Sequence, residues 1–345
     1  MGTQISNILK SKPLTFEALT NKKLAVDSFN VLYQFLTTIR QRDGTPLKDS
    51  SGNITSHLVG LFSRTTNLME KNIKLIFVFD GKIPELKNDE RERRKSIKEE
   101  AKKQYELAMR KEDINLMKKY ASRTSVLNPE MISEAKSLIK YLGLPVIQAP
   151  SEGEAQASFL AKQGDAYGVV SQDTDSLMFG APRLIKNLSI SGKRKKADAL
   201  AYKIIMPELI ELPEILNSLG IDQEQLIALC MLVGTDYNIG GIKGIGPKNA
   251  LKLLKTHKKD FDAMFREAKW GDYFSYSWQE VFGTIKNMKV VDDYKLEWKD
   301  IDEEKILELL IEKHNFTRER VESNLQKIYK LKKGKEQKGL GEFFK

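Results

Sequence analysis

Residues 169–180 read VVSQDTDSLMFG, an apolar run that ends in two aspartates, Asp173 and Asp175. Three other stretches have the same form, a run rich in Val, Ile and Phe that ends at polar residues. They are KLAVD (23–27), IKLIFVFD (73–80) and LPVIQAP (144–150), and the run quoted first begins at 166. Continuous apolar runs are typical of parallel strands covered on both faces. Helical patterns alternate with them at 28–41, 56–71, 129–142 and 152–163, so the sequence predicts a doubly wound α/β fold with a parallel-sheet core.

Carboxylates follow each of the four predicted strands. In open parallel sheets, ligands bind at the carboxyl ends of the strands, so we expect these side chains to converge at one edge. The turn after the last strand and the stretch LVGTDYN, at the end of an apolar helix, each supply one more acid. The seven carboxylates are Asp27, Asp80, Glu152, Glu154, Asp173, Asp175 and Asp236.

Seven carboxylates in one crevice cannot all be ionised unless cations lie between them. Histidine-free, all-oxygen ligation suits Mg²⁺, with Mn²⁺ able to substitute. So many acids favour two ions, and paired ions about 3.5–4 Å apart are suited to hydrolysis of a phosphodiester. The alternative for a single acid such as Asp173 or Glu152 is a helix cap or a first-turn residue. Their joint placement after four strands favours metal binding.

The composition narrows the class of protein and its partners. The 345 residues suffice for two average domains or one large α/β domain with additions. Lys and Arg outnumber Asp and Glu by 57 to 47, which favours a polyanionic partner, nucleic acid before membrane. A single cysteine, Cys230 in an apolar stretch, excludes a disulfide framework and is expected in the core. No apolar run approaches the roughly 18 residues of a membrane span, so we expect a soluble, intracellular chain.

Residues 82–120 are mostly charged and separate two predicted strands. One interpretation is an exposed helix with many i,i+4 ion pairs, and another is a mobile projecting element.

The stretch GIKGIGPKNALKLL (241–254) has the pattern of a helix-hairpin-helix motif. Gly244 and Gly246 permit a tight hairpin, and Pro247 suits the first position of a helix. The amides at that helix start would face a phosphate of duplex DNA without reading its sequence. The alternative is an ordinary glycine-rich turn between two helices.

The chain resembles the flap endonucleases of the xeroderma pigmentosum group G nuclease family, over nearly its whole length. The stretches that carry the resemblance occur in family order. They are VDSFNVLYQFL, TSHLVGLFSRT, VFDGKIPELK, QAPSEGEAQA, SQDTDSLMFG, GTDYN and GIKGIGPKNA. The resemblance implies that the seven carboxylates bind the metals and that Lys87 and Arg94 are the catalytic basic pair at the foot of a helical arch.

The resemblance also implies how the DNA is held. Tyr33 would stack on the base next to the scissile bond, and Arg64 lies in a DNA-contacting motif. Gly244, Gly246 and Lys248 would contact the duplex at the hairpin, which is also expected to hold K⁺ around residues 241–245. The 5′ flap would thread beneath the arch, and Gly2 would lie near the active site.

The C-terminal stretch QKGLGEFF matches the pattern of sliding-clamp ligands. In a single helical turn, Leu340 and Phe343 share a face, with Phe344 adjacent and Gln337 free to hydrogen-bond beside them. The alternative is a tail that packs its aromatic residues on the parent domain. We expect a disordered tail that binds the sliding clamp (PCNA).

The sequence therefore favours a monomeric, metal-dependent nuclease that cleaves branched DNA with a 5′ flap in Okazaki-fragment maturation and base excision repair. It would be cytoplasmic in an archaeon, the favoured source, and nuclear in a eukaryote. The alternatives are a nuclease for bubbles or Holliday junctions, a non-catalytic clamp-tethered DNA-binding module and a small-molecule phosphatase. The regions expected are the N-terminal nuclease region (1–98), the arch (99–125), the internal nuclease region with the hairpin (126–260), a helical region (261–331) and the clamp-binding tail (332–345).

Overall fold

The computed structural model describes residues 5–190, 192–195 and 202–343. Among these residues, seven strands form one sheet in the order β1-β9-β6-β5-β2-β3-β4, and two more form the separate hairpin β7-β8. The strands are β1 (Lys12–Pro13), β2 (Lys23–Asp27), β3 (Lys74–Phe79), β4 (Val146–Gln148), β5 (Gly168–Val170), β6 (Arg183–Lys186), β7 (Gly192–Lys195), β8 (Tyr202–Ile205) and β9 (Glu208–Glu211).

The five strands from β6 to β4 run parallel, whereas β9 pairs antiparallel with β6, and β1 pairs antiparallel with β9 at that edge of the sheet. The four strands expected from the apolar runs are therefore confirmed as β2, β3, β4 and β5. They lie side by side in the order β5-β2-β3-β4. This adjacency brings the residues after all four strands to the same edge of the sheet.

Helices cover both faces of the sheet. The helices are α1 (Ser28–Thr38), α2 (Ser56–Glu70), α3 (Asn88–Arg110), α4 (Ile114–Ala121), α5 (Pro129–Tyr141), α6 (Gly153–Lys162), α7 (Asp175–Met178), α8 (Leu212–Leu219), α9 (Gln223–Val233), α10 (Pro247–His257), α11 (Phe261–Glu267), α12 (Trp278–Lys286), α13 (Glu303–Leu307) and α14 (Arg318–Phe343), with a π-helix at Glu308–Lys313.

Alternate residues of the central strands pack on opposite sides of the sheet. Leu75 and Phe77 of β3 join a core with α1, α2 and α5, whereas Ile76 and Val78 join a second core with α6. Successive side chains of a strand point to opposite faces, so a run that is buried on both faces is apolar throughout. This explains the uninterrupted apolar runs of the sequence.

The charged stretch after β3 folds into α3 and α4, which pack against each other. Three residues of α3 are buried, Glu90, Ala101 and Ala108, so most of the helix is in contact with solvent. The expectation of an exposed, charged helix is confirmed for this segment.

In the C-terminal region, residues between 291 and 298 pack against the core beside α6, and the chain continues to α14, which packs against α2. Before α13, an extended segment is held by Gln156, whose amide exchanges two hydrogen bonds of 2.8 Å with the backbone of Val291. The backbone of α14 is helical as far as Phe343, where the sequence predicted a disordered tail. Lys is the commonest residue from 331 to 343, and no Pro interrupts this stretch, so a helix can continue despite Gly334, Gly339 and Gly341. None of the helices in the described part of the chain has the length and apolarity of a membrane span.

Candidate active site

The predicted acids meet at the carboxyl edge of the parallel sheet. Asp27 is the last residue of β2, Asp80 follows β3, and Asp173 comes shortly after β5. Glu152 and Glu154 lie at the start of α6, which follows β4, and Asp175 begins α7. Asp27, Glu152 and Asp175 are buried, and the other four acids are half-buried.

Polar contacts link these acids into one cluster. The hydroxyl of Ser171 donates to Glu154 at 3.0 Å and to Asp27 at 3.3 Å. The amide of Gly153 donates to Oδ1 of Asp80 at 2.6 Å. Acids from three different strand ends thus share neighbours within hydrogen-bond distance.

The sequence left open that single acids are helix caps. One acid of the cluster does cap a helix as well. Asp27 is the N-cap of α1, because its side chain accepts from the amide of Asn30 at 3.1 Å. Glu152 stands at the N-cap position of α6, but its side chain makes no capping bond. It accepts instead from Lys87 at 2.8 Å. Capping therefore does not account for the cluster.

Burial and mutual repulsion raise the pKa values of three of the acids. The pKa of Asp27 is raised by burial and then by the charge of Asp80, and that of Asp80 by burial and then by Glu152. The pKa of Glu154 is raised well above its usual range by burial and by three neighbouring carboxylates. Crowded carboxylates of this kind are stabilised in the ionised form by bound cations.

The donor set fits hard divalent cations, because it consists of carboxylate oxygens without histidine or cysteine. In the described part of the chain, no three or more Asp, Glu, His or Cys side chains are already arranged to hold a metal ion. Protein cations neutralise part of the cluster instead, since Glu152 and Asp236 are paired with basic side chains.

Lys87 and Arg94, the predicted basic pair, both lie at this cluster. Nζ of Lys87 is 2.8 Å from Glu152 and 3.6 Å from Asp236, and Nη2 of Arg94 is 2.7 Å from Asp236. Burial opposes the charge of Lys87, but the nearby acids outweigh burial and raise its pKa well above the usual value. Lys87 therefore remains protonated at neutral pH.

Tyr33 lies on α1, and its half-buried ring packs against the core. Nζ of Lys98, from α3, is 5.1 Å from the centre of the ring. The ring thus contacts α3, on the helix that Asp27 caps. Arg64 is exposed on α2.

The glycine-rich stretch forms a hairpin between α9 and α10. Gly241 and Gly244 have positive φ angles of 59° and 86°, which favour glycine. A Cβ on Gly241 would also lie 2.3 Å from the carbonyl of Val233. Pro247 is the first residue of α10, as predicted, and Gly246 is its N-cap. Helix α9 is buried around Cys230, so it is a core helix that supports the hairpin.

The outward face of α10 is basic. Lys248 is exposed in the first turn, and Lys252 and Lys255 line a shallow groove with it. This arrangement places positive charge and free amides at one helix start, which are the features that bind a backbone phosphate.

The clamp-binding residues fall at the end of the described chain. Gln337, Leu340 and Phe343 belong to α14, and Phe344 lies outside the described residues. Gly2, expected near the active site, also lies outside the described residues. The expected role of this segment stays a prediction.

Three residues of the site were missed by the sequence analysis. Ser171 bridges two acids, and the ring of Tyr237 lies 4.9 Å below Nζ of Lys87. Glu90 is buried against Arg94. The i,i+4 spacing of Glu90 and Arg94 was a signal for their pairing, but it did not distinguish this pair from the other ion pairs possible in α3.

Comparison with known proteins agrees with this arrangement. The XPG N-terminal domain matches residues 2–101, and the XPG I-region matches residues 143–236. Flap endonuclease 1 of Pyrococcus furiosus is 49% identical over 345 residues, 100% of both chains. The solved flap endonuclease-1 from Methanococcus jannaschii is 41% identical with a TM-score of 0.75, and the match covers 97% of this chain and 100% of that chain. The catalytic core of Rad2 in complex with DNA substrate shares the fold at 23% identity, with a TM-score of 0.67 over 95% of this chain and 100% of that one.

The fold and its carboxylate-lined edge define a nuclease of the XPG type. Within that class, the chain belongs to the flap endonuclease family. Members of this family generally use divalent metal ions.

Proposed function

We propose that this chain is a structure-specific DNA nuclease that cleaves 5′ flaps, with 5′-flap endonuclease and 5′–3′ exonuclease activity, in Okazaki-fragment maturation and base excision repair. One observation carries the proposal. Carboxylates from the ends of neighbouring parallel strands meet Lys87 and Arg94 at the foot of an exposed, charged pair of helices. A small-molecule phosphatase would need neither these helices nor the basic hairpin.

The seven carboxylates would hold two Mg²⁺ ions, with Mn²⁺ as a substitute. Bound metal would supply activation of the attacking water and stabilisation of the leaving oxygen. The acids that pair with Lys87 and Arg94 are Glu152 and Asp236, so these are the ligands that metal binding has to release from protein cations. The product would carry a 5′-phosphate.

Lys87 and Arg94 would contact the scissile phosphate. A protonated ammonium and a guanidinium at the edge of the metal cluster can donate to phosphate oxygens as charge develops on them. Because both side chains reach the cluster from the foot of the arch, a flap that passes there would bring its phosphate within their reach. Tyr33, on the helix that Asp27 caps, would stack on the base beside the scissile bond.

The duplex would be held at two places away from the cluster. Arg64 is exposed on α2, and the amides near Gly244 and Gly246 together with Lys248 would bind a phosphate at the start of α10. The loop of residues 241–245 would also bind K⁺. Contacts of this kind fix the distance between duplex and cluster without reading the base sequence.

The C-terminal residues Gln337, Leu340, Phe343 and Phe344 would bind the sliding clamp. The enzyme would act as a monomer tethered by this segment. Its archaeal-type relatives favour a cytoplasmic location.

The experiment that tests the function is cleavage of three labelled substrates, a double flap, a single 5′ flap and a bubble, each with and without Mg²⁺. We expect Mg²⁺-dependent incision at the base of the flap, fastest on the double flap and slowest on the bubble, and recovery of activity by Mn²⁺. Preference for the bubble would indicate a repair nuclease of the same superfamily. Binding of all three substrates without any cleavage would indicate a non-catalytic DNA-binding module.

A further inference from the structure

Glu90 is a buried carboxylate on a helix that is otherwise mostly exposed. It is 3% exposed, and the other two buried residues of α3 are alanines. A buried charge is costly unless it is paired and hydrogen-bonded. The partners of Glu90 therefore indicate why the chain places a carboxylate there.

Both oxygens of Glu90 accept hydrogen bonds from arginines. Nε of Arg94 donates to Oε1 at 2.6 Å. Arg93 makes a bidentate contact, with Nε at 2.6 Å from Oε2 and Nη2 at 2.9 Å from Oε1. Arg93 thus fixes the carboxylate, and the carboxylate fixes the Nε edge of Arg94.

The opposite edge of the same guanidinium reaches the acid cluster. Nη2 of Arg94 lies 2.7 Å from Oδ2 of Asp236, and this contact joins α3 to the end of α9. A guanidinium is planar and rigid, so holding its Nε edge also sets the direction of its Nη atoms. Without Glu90, the Nε edge of Arg94 would lose its partner, and the contact with Asp236 would no longer be held from the opposite side.

We propose that Glu90 is a positioning residue that aims the guanidinium of Arg94 at the carboxylate edge. The inference rests on the proposed contact of Arg94 with the scissile phosphate. In the described residues, the side-chain hydrogen bonds of Glu90 go to Arg93 and Arg94 and not to the predicted metal ligands. Glu90 would hold the Nη2 donor of Arg94 in place before the substrate binds. The guanidinium then does not have to reorient during cleavage.

A purely structural role for Glu90 makes a different prediction. An acid in the first turn of a helix stabilises it through the helix dipole, and an i,i+4 ion pair adds to that stability. Asp89 is an exposed acid in the same turn, and it is not among the acids that pair with Arg93 or Arg94 in the described residues. Replacing Asp89 thus removes the same charge from the helix end and leaves Arg94 held.

The test is a double-mutant cycle on the full chain with a double-flap substrate and Mg²⁺. Single-turnover cleavage rates are measured for Glu90→Gln, Arg94→Ala, the double variant and the control Asp89→Asn, and substrate affinity is measured in Ca²⁺. We expect Glu90→Gln to slow cleavage roughly tenfold, with affinity nearly unchanged and Asp89→Asn close to wild type. In the Arg94→Ala background, Glu90→Gln should have no further effect. Glu90→Asp, which keeps the charge, should recover part of the rate.

Four results overturn the inference. Equal slowing by Glu90→Gln in both backgrounds, or equal slowing by Asp89→Asn, would show a structural role. Normal cleavage by Glu90→Gln, with Arg94→Ala slow, would refute the positioning role and leave the proposed function intact. Normal cleavage by Arg94→Ala would instead refute the role proposed for Arg94 itself. If Glu90→Gln does not fold, the cleavage rate of Glu90→Asp is compared in the wild-type and Arg94→Ala backgrounds. Equal slowing in both backgrounds would again show a structural role.

Discussion

Nη2 of Arg94 lies 2.7 Å from Oδ2 of Asp236, although the two residues are 142 positions apart in the chain. Nζ of Lys87 is 3.6 Å from the same oxygen. One carboxylate of the cluster thus joins both basic side chains at the start of α3. A cation that binds Asp236 would compete with these two side chains, so we expect metal binding and the position of α3 to be linked.

The basic pair provides the first prediction. Lys87→Ala and Arg94→Ala should each reduce the single-turnover rate on a flap substrate by about a hundredfold or more, because a donor to the developing charge is lost. Affinity for the duplex should change much less, since other phosphate contacts supply most of it. Lys82→Ala is the matched control, because Lys82 is an exposed lysine of the same loop. An effect of Lys82→Ala as large as that of Lys87→Ala would show that general charge, and not position, matters.

The second prediction concerns Tyr33, whose ring lies 5.1 Å from Nζ of Lys98. Stacking of a base on an aromatic ring contributes roughly 1–3 kcal/mol. Tyr33→Ala should therefore slow cleavage more than it weakens binding, and Tyr33→Phe should do little. Rates and affinities of both variants on one flap substrate test this. Equal damage by Phe and Ala would assign the role to the hydroxyl.

The third prediction concerns the C-terminal segment. Deletion of residues 337–345, or replacement of Phe343 and Phe344 by Ala, should abolish binding to the sliding clamp and stimulation by it, since such anchors carry most of the energy of a small interface. Cleavage without clamp should stay nearly unchanged. Lys338→Ala, within the same segment, is the control and should bind normally. A truncated chain that loses basal activity to the same extent would show that the segment belongs to the folded body.

The fourth prediction concerns stability in acid, and it arises from a buried histidine. His57 is fully buried, and in the described residues its ring nitrogens have no hydrogen-bond partner. Burial lowers its pKa from 6.5 to about 4, against the opposing charge of Glu134. Between these pKa values the unfolded chain takes up a proton that the folded chain does not, so stability falls as pH falls from about 6.5 and levels off below about 4.

Urea unfolding of wild type and His57→Leu, each at pH 7 and pH 5, measures this effect. From pH 7 to pH 5 the wild type should lose about 2 kcal/mol more than the variant. Glu134 and Asp49 have pKa values lowered by their hydrogen-bond partners despite burial, so both stay ionised between pH 7 and pH 5 and contribute little to the difference. Equal losses in the two proteins would show that His57 does not titrate across this window.

Much of the site follows from the sequence because it depends on local patterns. An apolar run followed by Asp27, Asp80 or Asp173 specifies both a buried strand and an acid at its carboxyl end, and parallel packing brings these ends together. Strands β6 and β9 were not predicted, because RLIK and ELIE are four-residue segments with charged ends. They pair with each other although they are far apart in the sequence. The contacts of Glu90 and Tyr237 also depend on which faces distant helices present to each other. Such contacts are tertiary, and residue spacing does not determine them.

The central claim is that the carboxylate edge is the metal-dependent cleavage site, and Asp175 tests it most directly. Asp175 is buried at the start of α7, and its charge raises the pKa of the neighbouring Glu154. The measurement is single-turnover cleavage of a double flap in Mg²⁺ by wild type and Asp175→Ala, with affinity for the uncleaved substrate measured alongside. We predict a loss of rate by orders of magnitude and retained binding, because phosphate contacts from Lys and Arg dominate affinity. Cleavage by Asp175→Ala at the wild-type rate would contradict the assignment of the seven acids.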